Sequence, residues 1–279
     1  MDLEVVLRGV LPPIGAALLL VSLGGSRLVA LAVAVGLYVA FGLLRRDWPE
    51  LPHVLWSAPD GRQWLVWSIA AAALVSLGEH FKVLPRKAGH TAAAVVGVAA
   101  VWLVLSKVAA NWSPTESLVA IGGGALILLL VLLGTRIVMA RAPATMFPAI
   151  LWTLVLSIDA AVITLSGSAL LGQMCGAVAA AVGASIGTAL WRRPFALTIA
   201  DGSWLAVTHV LFVLAAKHLA ELPWSAAACL LVAPLAALPV RDGVGASRPK
   251  LWAFLATPLV AVPLAGAVWF ATQGGSSGY

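Results

Sequence analysis

Asp159 and His209 are the residues whose type and placement point most directly to chemistry. Asp159 closes the apolar stretch Val155-Leu156-Ser157-Ile158 and is followed by Ala160-Ala161-Val162. On a helix crossing hydrocarbon, a charge near the centre costs about 2.5–3.5 kcal/mol on insertion scales. The carboxylate must therefore face a polar interior or take up a proton. Ser157 and Thr164, with Ser166, are expected to line a hydrated path beside it. His209 lies beside Thr208 in a second apolar run. A neutral imidazole bonds well between helices, and its unperturbed pKa of about 6.5 also suits a proton relay. Asp159, His209, Ser157 and Thr164 form the candidate set for binding a substrate, a proton or a cation. The competing reading for the acid and the imidazole is a structural bond between neighbouring helices.

Other motifs are weaker. Gly183-Ala184-Ser185-Ile186-Gly187 matches G-x-S-x-G formally, but a nucleophile elbow needs a strand-to-helix turn around the serine. Here the stretch is an unbroken apolar helix, and Gly172, Gly176, Ala180 and Ala184 recur on it at four-residue spacing. Small residues so placed let two backbones approach closely in lipid, so this face reads as a packing seam. No metalloprotease, Walker A, paired-cysteine or dinucleotide motif occurs. No catalytic residue, metal ligand or cofactor is expected. Cys175 and Cys229 fall in apolar segments and read as small packing residues.

The elements that must position these groups follow from composition. Of 279 residues, 62% are hydrophobic and 10% charged, against about 25% charged in a soluble domain. That is too little charge to coat a water-facing surface, so lipid must be the outer solvent. A crossing needs about 20 mainly apolar residues. About ten such segments can be drawn: 5–24, 27–44, 63–81, 89–110, 116–138, 145–166, 168–190, 203–220, 224–240 and 251–272. The fold class is an all-α, multi-pass bundle, with residues 273–279 as a flexible tail. Tryptophans near the segment ends, such as Trp48, Trp56, Trp112, Trp191, Trp224 and Trp252, read as interfacial belts. The net charge of +6 lies in short loops beside apolar segments, which is a membrane-topology signal rather than a nucleic-acid surface.

The segments repeat. Asp60-Gly61 before Trp64-Leu65 answers Asp201-Gly202 before Trp204-Leu205. His80 with Leu84-Pro85 answers His218 with Leu222-Pro223, and Gly25-Ser26 answers Gly167-Ser168. The landmarks keep one order at an offset of roughly 134 to 147 positions. Two five-helix units are expected, residues 1–142 and 143–272. Five is odd, so the second unit enters from the opposite side as an inverted repeat. Asp60 and Asp201 are expected to cap helix starts, and His80 and His218 to anchor helix ends. Lys82, Arg86, Lys87, Arg136, Arg141, Arg192, Arg193, Arg241, Arg248 and Lys250 fall in the loops after odd-numbered segments, which places those loops in the cytoplasm. Arg45, Arg46 and Arg62 are the exceptions.

These readings lead to one expectation: a small-molecule permease or secondary transporter with its site at the bilayer midplane, in a bacterial cytoplasmic membrane. Lipid, a small solute and a coupling proton or cation would be its partners. The alternative is a non-transporting subunit that scaffolds a larger membrane complex.

Overall fold

The fold is seen in a computed structural model that describes residues 3–49, 60–191, 195–240 and 243–274. Trp56, Arg192, Arg193, Arg241 and the tail from residue 275 lie outside the described residues. Local sequence explains how several helices begin. Ser113 Oγ accepts the Glu116 amide at 3.2 Å while Glu116 returns a bond to the Ser113 amide at 2.8 Å. This capping box, with Pro114 in the first turn, starts a helix at Pro114. Thr198 and Asp201 form a second capping box. Asp60 caps a third start by accepting from the Arg62 and Gln63 amides.

The helices run α1 (Leu3–Gly24), α2 (Val29–Arg45), α3 (Gly61–His80), α4 (Arg86–Ala109), α5 (Pro114–Arg141) and α6 (Phe147–Leu165). They continue as α7 (Ala169–Trp191), α8 (Ile199–Leu219), α9 (Trp224–Val232), α10 (Val244–Ser247) and α11 (Pro249–Gly274). Among the described residues, 7 helical stretches are long and apolar enough to cross a membrane. The first of these, Leu7–Arg45, turns back on itself at Gly25, whose φ of +68° suits a residue without a Cβ. As a result α1 and α2 pack side by side. The outer surface is apolar, with Leu118 73%, Phe254 75% and Val262 72% exposed. The protein is a multi-pass helical membrane protein.

Three expectations need correction. The segment drawn at 224–240 is helical only to Val232, followed by a 3₁₀ turn over Ala233–Leu235. Pro234 cannot donate a backbone bond and ends the regular ladder. Residue Gln273, assigned to the tail, belongs to α11. Trp252, assigned to an interfacial belt, is buried in the core.

α8 occupies the centre of the bundle, buried from Ala200 to Ala216, and packs against α3, α4, α5, α6 and α9. α3 runs antiparallel to it: His80, the last residue of α3, meets Asp201 at the start of α8, while Gly61 lies beside Leu219 at the other end. The neighbours of α3 and α8 are not equivalent, because α3 packs mainly on α2, α4 and α8.

α7 lies along α6, with Gly172 against Ala160 and Thr164, and Gly176 against Ala160. A Cβ on Gly172 would run into Thr164 Oγ1 and sit 2.8 Å from the Ala160 carbonyl oxygen, whereas one on Gly176 would meet only the Ala160 Cβ at 3.7 Å. Lipid tails are as apolar as leucine, so close packing carries much of the cohesion of this pair. Gly172→Ala is therefore expected to cost about 1–3 kcal/mol, and Gly176→Ala to be nearly neutral. Thermal unfolding of the two variants in detergent, followed by tryptophan fluorescence, checks the contrast. Equal melting temperatures would remove the seam assigned to Gly172.

Candidate functional site

The structure brings Asp159 of α6 and His209 of α8 together. His209 Nδ1 lies 2.6 Å from Asp159 Oδ2, and both side chains are wholly buried. The other ring nitrogen, Nε2, lies 3.1 Å from the Leu230 carbonyl oxygen of α9. A local rule makes that carbonyl available. In an unbroken helix it would accept from the amide four residues on, but that residue is Pro234, which has none. A shorter bond from Ala233 partly replaces it, and the histidine takes the remaining lone pair.

This contact also settles where the protons sit. A carbonyl only accepts, so Nε2 carries hydrogen. Between Nδ1 and Oδ2 there is then one proton, shared by a carboxylic acid facing a neutral ring or by a carboxylate facing an imidazolium. Either way the pair has zero net charge, and the proton belongs to the pair. Losing it would leave a bare negative charge in a dry core, and gaining another would leave a positive one. Both changes carry the desolvation cost of a buried ion.

The surroundings are close-packed. The edge of Trp152 meets the His209 ring with centroids 6.1 Å apart. Cys175 of α7 bonds the Leu156 carbonyl at 3.4 Å. Asp159 Oδ1 and Thr208 Oγ1 are buried without a partner. Ser157 and Thr164 do not join the site: both are exposed, Thr164 lies beside Gly172 of α7, and it bonds back to Ala160 of its own helix at 2.7 Å. Ser185 likewise gives its hydroxyl hydrogen to the Ala181 carbonyl at 2.7 Å within continuous α7.

A second buried cluster sits where α3 ends and α8 begins. Asp201 Oδ1 accepts from His80 Nε2 at 3.0 Å and from Trp204 Nε1 at 3.4 Å. Its Oδ2 accepts from the Thr198 amide at 2.7 Å and the Thr198 hydroxyl at 2.9 Å. Arg136 of α5 bonds Ser203 at 3.1 Å alongside. Asp201 thus lies inside the first turn rather than before it, and it ties two helices as well as capping one. Asp60, the residue the sequence comparison sets against it, behaves differently, pairing with Arg45 at 2.7 Å. Burial alone would push the Asp60 carboxyl up, but the Gln63 amide and the Arg45 guanidinium together hold it below the usual carboxylate range. Its stabilising contribution is therefore present above the unfolded value of about 3.9 and lost as pH falls through the folded value.

Cavities open at both ends of α8. One, of about 540 Å³, is apolar and lies between α5, α8 and α9, with Gly123, Gly124, Ile127 and Leu214 in its wall. His218 lines its mouth between Trp112 and Trp224, at centroid distances of 5.2 and 6.0 Å. The other, of about 450 Å³, has Arg27, Glu79, Lys82 and Arg86 in its wall and lies at the His80–Asp201 end of α8. His209, with its partner Asp159, lies on α8 between these two ends. Searches of known protein families, curated proteins and solved structures find none that matches this chain.

Proposed function

We propose that the protein is a small-molecule permease or secondary transporter in which the Asp159–His209 pair holds the coupling proton. The observation that carries this reading is the placement of cavities at the two ends of α8, with the buried Asp159–His209 pair on the helix between them. Rocking of helices around α8 would let one cavity deepen as the other closes, and the pair would meet water only during that exchange. Two five-helix units related by inversion would suit such rocking, and the antiparallel run of α3 and α8 is the orientation that relation requires.

Charge distribution supports a cytoplasmic position for the His80–Asp201 end. Arg27, Lys82, Arg86 and Arg136 gather there. At the opposite end Arg45 pairs with Asp60 and stands as an exception to the positive-inside pattern. A bacterial cytoplasmic membrane fits this arrangement.

Reconstitution tests the reading. Liposomes carrying the full chain should accumulate at least one radiolabelled solute from a panel of organic acids, amines, sugars and amino acids when a pH gradient is imposed, and protein-free liposomes should not. A second reading, a non-transporting scaffold, draws on the complete burial of Asp159 and His209. It is favoured if no solute accumulates while the intact protein holds a partner complex together.

A further inference from the structure

We infer that the polar cavity at the cytoplasmic end of α8 is a binding site for an anionic group of the phosphate class, separate from the Asp159–His209 pair. Three cationic side chains reach it: Arg27 from the α1–α2 turn, Lys82 from the α3–α4 turn and Arg86 from the start of α4. All three are exposed. Their neighbours leave much of this charge uncompensated. Glu79, the acid in the wall, is outnumbered by the three cations, and Asp201 behind it is already saturated by its four donors.

The rest of the wall suits the same ligand. Thr198, Ile199 and Ala200 form one side, so the first turn of α8 abuts the cavity. Amides of a helix start carry partial positive charge and favour an anion. His80, whose Nε2 hydrogen is committed to Asp201, forms the floor. A volume of about 450 Å³ admits a phosphate ester with a small organic group. A guanidinium and an ammonium would together contact several of its oxygens. The same chemistry belongs to a soluble phosphate compound and to an anionic lipid headgroup at the cytoplasmic leaflet.

Binding distinguishes these sources without reading transport or Asp159, so failure here leaves the transport reading standing, and the converse also holds. The full chain is placed in nanodiscs of zwitterionic phosphatidylcholine and titrated calorimetrically with inorganic phosphate at constant ionic strength. In parallel, nanodiscs containing phosphatidylglycerol are analysed by native mass spectrometry for retained lipid. Saturable phosphate binding identifies a soluble anion, and selective retention of phosphatidylglycerol identifies a headgroup. In either arm Lys82→Gln with Arg86→Gln should weaken binding at least tenfold. Lys87→Gln, one residue along but outside the cavity wall, should leave it unchanged. Equal loss in the Lys87 variant, or no saturable binding in either arm of the wild type, would overturn the site.

Discussion

Replacing either member of the Asp159–His209 pair with leucine is expected to destabilise the protein by about 3–5 kcal/mol, and replacing both is expected to restore most of that loss. The asymmetry follows from the burial of the pair. A single substitution strands the other group in a dry core, whereas the double substitution removes both polar groups at once. The size of the coupling decides what kind of bond this is. Ordinary hydrogen bonds between membrane helices average about 0.6 kcal/mol in such cycles and reach at most about 1.7. A close contact sharing one proton, with both partners wholly buried, is expected to exceed about 2 kcal/mol. A double-mutant cycle measured by reversible unfolding in mixed micelles reads the value. A coupling near 0.6 kcal/mol would reduce the pair to a routine interhelical contact.

The second large effect separates two aspartates that the sequence presents as equivalents. Asp201→Ala is expected to cost about 3 kcal/mol or more, because it orphans the buried His80 and Trp204 donors and breaks the capping box with Thr198. Asp60→Ala is expected to cost about 1 kcal/mol, the usual loss of a helix cap, since its side chain is 40% exposed and water can replace it. Unfolding of the two variants side by side provides the check. Equal losses would mean that the buried ring of donors around Asp201 contributes nothing beyond capping.

Much of the architecture was legible from apolar run lengths, and nine of the ten segments drawn from the sequence match long helices to within a few residues. The exception, 224–240, failed because Pro234 and Pro239 lie within an apolar run that composition alone reads as a continuous helix. The same proline accounts for the part of the site that was least visible. Asp159 and His209 stood out singly as polar residues in apolar runs. Their partner, the Leu230 carbonyl, carries no side-chain signature, and only the missing amide of Pro234 marks it. Ser157 and Thr164 were grouped with Asp159 by sequence proximity, yet helical geometry turns residues two and five positions away toward other faces. His80 and Asp201 were each noticed, but as separate landmarks. Following the antiparallel relation of α3 and α8 to its consequence, with one helix end beside the other's start, would have joined them.

The role of Asp159 itself is tested by one substitution that keeps the fold. In Asp159→Asn the amide nitrogen can still donate to His209 Nδ1, so the bond between α6 and α8 survives while the shared titratable proton is gone. The decisive measurement is accumulation of a transported solute in proteoliposomes under an imposed pH gradient, with proton entry followed by an internal pH dye. The expected result is that the wild type moves solute and protons together, whereas the Asn variant, folded and with an unchanged melting temperature, loses gradient-driven accumulation at least a hundredfold. Undiminished proton-coupled uptake in the Asn variant would contradict the assignment of Asp159 and His209 as the coupling pair.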